Sequence, residues 1–134
     1  MPKQLKTVKQ MVADANSKVK VLPIEEAIAL HGREDTVFVD LRDVRELART
    51  GRVAGARHAP RGMLEFWIDP DSPYHKDFLW QDKSYVFYRA SGWRSALSAL
   101  TAQEMGLSDV AHIDGGFTAW QEKGGPIDPP KDAD

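Results

Sequence analysis

The chain has 134 residues, enough for one domain that buries a core without disulfides, and it contains no cysteine, which excludes a disulfide scaffold and thiolate metal sites. A formal net charge of −2 argues against an electrostatic grip on nucleic acid, which needs a basic face or stripe. No run approaches the roughly 18 apolar residues of a membrane span, and a composition 42% hydrophobic and 28% charged is that of an ordinary globular protein.

The start, Met1-Pro-Lys-Gln-Leu-Lys, is basic but lacks an apolar stretch and a cleavage site, so no export signal is expected and the cytoplasm is the expected location. Leu5, Val8, Val12 and Ala15 recur at helical spacing and predict an amphipathic helix over 4–16. Lys20-Val-Leu reads as a short strand, and Pro23 opens a helix through Leu30 that Gly32 can end. Thr36 to Leu41 is an apolar run too short for a helix, as in a strand buried on both faces. Asp43 can cap a short helix through Glu46, Leu47 and Ala48 that stops at Gly51.

Ala56 to Ala59 and Tyr85 to Tyr88 are the next predicted strands. Arg94 to Met105 reads as a helix with Ala96, Leu97 and Leu100 inward and Gly106 at its end. Val110 to Ile113 is a last strand and Gly116 to Lys123 a last helix that buries Phe117 and Trp120. Strands separated by helices imply parallel pairing with right-handed crossovers. The organisation expected is a helical extension over 1–19, an α/β domain over 20–127 and a polar tail over 128–134.

In open α/β sheets, ligands bind beyond the carboxyl ends of the strands. Two segments sit there: Asp40-Leu-Arg42, and Arg89-Ala90-Ser91-Gly92-Trp93-Arg94-Ser95. The second also opens a helix, where free amides and the helix dipole favour an anion. Gly92 permits a sharp turn, Arg94 brings a planar fork suited to an oxyanion, and Ser95 can cap the helix or bond a ligand. A solvated connection with Arg94 paired to a surface carboxylate is the alternative.

His31, His58, His75 and His112 show no ligand spacing, so neither a metal nor another cofactor is expected. His58 can border the pocket or simply pack. Between Pro60 and His75 the chain is rich in aromatics and proline. That segment is either a lid with Arg61, Phe66, Trp67 and Tyr74 around a pocket, or a helical turn on the sheet with only Arg61 facing the site. The leading helix either covers its own domain or meets a second copy or another protein.

Three motifs in register carry a family resemblance. Asp40-Leu-Arg42-Asp-Val-Arg-Glu46 with Gly51 to Pro60, then Phe87-Tyr-Arg89-Ala-Ser-Gly-Trp-Arg94-Ser95, then Asp114-Gly-Gly-Phe117-Thr-Ala-Trp120 with Gly124-Gly-Pro126, together resemble a rhodanese-homology domain. The resemblance implies a three-layer α/β fold, with a mainly parallel five-stranded sheet between helices and the loop after the fourth strand cradling the reacting group. Active members of that family are sulfurtransferases. A cysteine first in the loop takes sulfane sulfur from a donor such as thiosulfate and passes it on through a persulfide. That position matches Arg89, which has no sulfur and no lone pair for attack.

The resemblance therefore implies that this chain cannot transfer sulfur by the family route. Three readings follow: an anion site for sulfate, phosphate or a thiosulfate-like ion (or a partner-docking site), a vestigial site, or a variant of a cysteine enzyme. The family is also similar in fold to cell-cycle phosphatases, whose loop is longer than the span from Ala90 to Trp93. The resemblance gives Asp40 and Arg42 a structural role, with Arg42 paired to Glu46 or a nearby carboxylate.

Overall fold

The computed structural model describes residues 4–130. In chain order the elements are α1 (Val8–Lys18), β1 (Lys20–Leu22), α2 (Ile24–Leu30), β2 (Thr36–Asp40), α3 (Val44–Thr50), β3 (Arg52–Val53) and β4 (Arg57–His58). There follow α4 (Leu64–Ile68), β5 (Ser84–Tyr88), α5 (Gly92–Met105), β6 (Asp109–Ile113), α6 (Gly116–Glu122) and β7 (Ile127–Asp128). Five strands build one sheet in the order β1-β6-β5-β2-β4, every pairing parallel.

The central strands bury both faces, as their unbroken apolar runs require. Along β5, Tyr85 and Phe87 face a core shared with Leu64, Ile68, Leu79 and Ala99. Val86 and Tyr88 face the other way, toward Phe38, Ile113, Phe117 and Trp120. This alternation places α4 and α5 over one face and α2 and α6 over the other, the three-layer α/β architecture expected. Burying one Leu or Phe in such a core stabilises by roughly 1.5–3 kcal/mol.

Helix boundaries follow their caps. The leading helix starts at Val8 rather than residue 4, because Thr7 and Gln10 form a capping box there. It packs on α5 through Val12, Ala15 and Ala96, while Leu5 and Val8 stay exposed. Asp43 and Glu46 form a second capping box on α3, and Gly51 ends that helix at φ +75°. Helix α5 begins at Gly92 rather than Arg94, and it buries Ala96, Ala99 and Ala102 while Leu97 and Leu100 are only partly covered.

Two departures concern the short strands. The expected strand over 56–59 contracts to Arg57–His58, paired with the end of β2. The tail expected from residue 128 begins instead as β7, an antiparallel partner of β3, with Arg52 opposite Asp128. The Asp128 carboxylate accepts the Gly55 N–H at 2.8 Å, which pins this ribbon beside α3. Residues 1–3 of the expected extension and 131–134 of the expected tail lie outside the described residues.

Candidate functional site: an arginine-lined cleft at the end of the central strand

Strand β5 lies between β6 and β2, so Arg89 emerges at the middle of the sheet's carboxyl edge. What fixes the next residues is the start of α6. The Arg89 carbonyl accepts the Phe117 N–H at 2.8 Å, and the Ala90 carbonyl accepts both the Thr118 N–H at 3.1 Å and its hydroxyl at 2.9 Å. A trans peptide points its N–H opposite to its C=O. The amides of Ala90 and Ser91 are thus turned away from α6, and among the described residues they have no acceptor. Ser91 stands at the N-cap of α5 without a side-chain capping bond, which leaves the first helical amides open as well.

Such close packing needs glycine. A Cβ on Gly116, whose φ is +59°, would come within 2.6 Å of the Arg89 carbonyl oxygen. One on Gly92 would come within 2.8 Å of the Gly115 nitrogen. The paired glycines before α6 therefore hold the loop's shape from a distance in sequence.

Arg89 is half-buried, and its Nη1 donates to the Leu41 carbonyl at 3.1 Å. Burial lowers its pKa from the ordinary arginine value, and Arg94 lowers it too. Glu46 and Asp40 work against them, and Arg61 lowers it again. Arginine remains a cation through such a shift. Arg61, Arg89 and Arg94 line one cleft of about 510 Å³, together with Val8, Val12, Trp93, Leu97 and Ser98. Arg61 is tied to Glu65 at 2.8 Å, whereas Arg89 and Arg94 have no carboxylate within ion-pair distance among the described residues.

Ser95 belongs to a different arrangement. Its buried hydroxyl meets His112 Nδ1 at 2.9 Å, and His112 Nε2 meets the Asn16 amide oxygen at 2.8 Å. The chain closes when Nε2 carries the proton: His112 donates to Asn16, and Ser95 donates to His112. Burial pushes the His112 pKa down, against a smaller upward pull from Asp114. With Ser95 and His112 both sealed from solvent, this line of bonds joins α1, β6 and the loop helix, and it offers no nucleophile.

The remaining residues singled out in the sequence do not line the cleft. Asp40 and Arg42 are buried against each other, Arg42 Nε to Oδ1 at 3.0 Å and Nη2 to Oδ2 at 2.8 Å. The other guanidinium donors reach the Thr50 hydroxyl and the Gly51 carbonyl, and the group lies 4.3 Å from the Phe117 ring centroid. Arg42 therefore pairs with Asp40 rather than Glu46, whose carboxylate is used in the α3 cap. His58 bonds the Arg42 carbonyl through Nε2 at 2.7 Å and lines a separate groove near α3. Trp67 packs against the core beneath Lys76, because α4 is a turn seated by Leu64 and Ile68. Phe66 and Tyr74 stack edge to face in the open and form no lid over the cleft. Of that segment only Arg61 reaches it.

Several lining residues were not foreseen as such. Val8 and Val12 belong to the apolar stripe of α1, but periodicity does not say which part of a helix borders a cleft. Ser98 gives no signal at all in the sequence.

The rhodanese-like domain pattern matches residues 23–123. The chain belongs to the rhodanese-like domain family. The thiosulfate sulfurtransferase GlpE of Pseudomonas putida is 34% identical over 108 residues, covering 78% of this chain and 87% of that protein. Among solved structures, a protein of unknown function and possible tyrosine phosphatase from Rhodopseudomonas palustris is 53% identical, with a TM-score of 0.90 over 96% of this chain and 99% of that one. The 30 kDa polysulfide-sulfur transferase homodimer of Wolinella succinogenes aligns with a TM-score of 0.71 at 27% identity, covering 89% of this chain and 85% of that one. No helix among the described residues is long and apolar enough to cross a membrane.

Proposed function

We propose that this rhodanese-like domain binds small oxoanions at the loop 89–95 and does not transfer sulfur. The observation that carries the reading is Arg89 at the head of that loop, half-buried and facing the same cleft as Arg61 and Arg94. Sulfur transfer through a persulfide needs a thiolate, and the chain has no cysteine to provide one. Uncapped helix amides with two arginines that lack carboxylate partners among the described residues favour sulfate, phosphate or a thiosulfate-like ion instead.

The relatives support the anion class: thiosulfate is named in the activity of GlpE. The Rhodopseudomonas palustris protein is a possible tyrosine phosphatase, and phosphate is chemically akin. Phosphatase catalysis by a loop cysteine fails here for the same reason as sulfur transfer.

Thermal unfolding tests the reading. Sulfate or phosphate should raise the melting temperature with concentration, since a ligand that binds the folded state stabilises it. The rise should shrink in Arg89→Ala, and thiosulfate with cyanide should yield no thiocyanate above a blank. An unchanged anion response in Arg89→Ala removes Arg89 from the site, and thiocyanate formation by this chain ends the non-transferring reading.

A further inference from the structure

The cleft is built for more than an inorganic ion. Its lining combines three cationic side chains, Arg61, Arg89 and Arg94, with apolar ones, Val8 and Val12 of α1 and Trp93 and Leu97 of α5. A space of about 510 Å³ falls within the range of small-molecule sites, and a bare sulfate or phosphate fills only part of it. We propose that the ligand is an organic oxoanion: the charged group held by Arg89 and Arg94, an aryl or alkyl body laid between α1 and α5. The proposal rests on the reading of the loop as an anion site and adds the class of molecule attached to the anion.

Three observations support a ligand larger than a bare ion independently of the arginines. Val8 and Trp93 are each 53% exposed, so both lie open at the cleft rather than serving the core. Val8 and Val12 precede the segment that matches the family pattern, residues 23–123, so the α1 part of this wall lies outside the matched domain. Finally, Ser98 lines the cleft, is 1% exposed, and among the described residues its hydroxyl has no hydrogen-bond partner. A buried hydroxyl without a partner is uncommon, and one beside a cleft is placed to bond a polar group on a ligand.

Charge and shape together then define selectivity. The arginines reject a neutral body, and the apolar wall adds affinity in proportion to the area it removes from water. Arg61, already tied to Glu65, contributes less charge than the other two.

Calorimetric titration with naphthalene-1-sulfonate, naphthalene-1-sulfonamide and inorganic sulfate tests the inference on the full chain. The sulfonate should bind at least about ten-fold more tightly than sulfate, and the neutral sulfonamide should bind worse than the sulfonate. Val8→Ser, an exposed position that the fold tolerates, should bring the sulfonate-to-sulfate ratio down at least about three-fold, and Trp93→Ser should do the same.

Equal affinity for sulfonate and sulfate overturns the organic-ligand inference while leaving the anion site standing. A sulfonate preference untouched by both substitutions places the aryl group elsewhere and also overturns it. If sulfate and sulfonate both fail to bind, or the sulfonamide binds as tightly as the sulfonate, the anion reading itself falls.

Discussion

Ser95 and His112 meet through a 2.9 Å hydrogen bond that joins the first turn of α5 to strand β6, and Asn16 extends the line to α1. The N-terminal helix is thus tied by polar bonds as well as packing to the helix that opens the cleft. Its Val8 and Val12 are held in position through the same helix.

This line makes stability sensitive to pH. Burial lowers the His112 pKa in the folded state, with Asp114 opposing, so the unfolded chain takes the proton first. Well above the ordinary histidine value of about 6.5, both states are neutral and nothing is lost. Below it, unfolding gains a proton and stability falls until the folded-state pKa is passed. Urea denaturation on either side of about pH 6.5 should show that His112→Gln lacks part of the acid-side loss found in the unaltered chain. Parallel pH profiles in the two proteins would contradict the assignment.

The Asp40–Arg42 pair carries a larger energy. Both side chains are buried, and the guanidinium is satisfied by Asp40, Thr50 and Gly51 together. Removing one member of a buried pair strands the other charge, at a cost of roughly 3–5 kcal/mol. Asp40→Asn should therefore lower unfolding free energy by about that amount in denaturant titration. A loss under about 1 kcal/mol would mean that Arg42 finds other compensation.

The order of elements was legible because each carries its own local signal. Pro23 at a helix start, Asp43 with Glu46 at a cap and the apolar runs at β2 and β5 all act within a few residues. The β3–β7 ribbon was not legible, since two-residue strands have no period and their pairing joins Arg52 to Asp128. In the site, Arg89 and Arg94 were found from the loop itself. For Arg42, Glu46 and a nearby carboxylate were both open from the sequence, and the pairing falls to Asp40 because Glu46 is taken up in the α3 capping box. The Gly115–Gly116 pair was read as a motif, but its task of receiving the Arg89 carbonyl depends on a contact across the sheet edge.

That contact yields a third prediction. In Gly116→Ala the added carbon meets the Arg89 carbonyl oxygen at 2.6 Å, in a backbone conformation with φ of +59° that alanine resists. Strain of this kind costs roughly 1–3 kcal/mol. The variant should melt lower and lose the anion response together, because the loop must move. A lower melting temperature with an intact sulfate response would show that the loop's shape is held by something other than this corner.

Ser98→Ala should act in the opposite direction. The hydroxyl is buried without a partner among the described residues, and alanine is the better helix former, so the substitution removes a desolvation cost of roughly 1–3 kcal/mol in part. Thermal unfolding without ligand should show a modest rise in melting temperature. A fall would indicate that the hydroxyl is bonded in solution, which would remove it as a free contact in the cleft.

Restoring a thiol gives the last prediction. In Arg89→Cys, the new thiolate sits at the end of β5 beside the uncapped start of α5, which lowers thiol pKa values. It would attack the outer sulfur of thiosulfate, forming a sulfur–sulfur bond while the bond to the inner sulfur breaks and sulfite departs with the electron pair. Cyanide would then take the outer sulfur as thiocyanate and return the thiolate. The variant should form thiocyanate above the blank where the unaltered chain does not. Failure of a folded Arg89→Cys protein to do so would mean that the loop differs from a working sulfurtransferase in more than its nucleophile. The loss would then lie in the amides and glycines that shape the cradle.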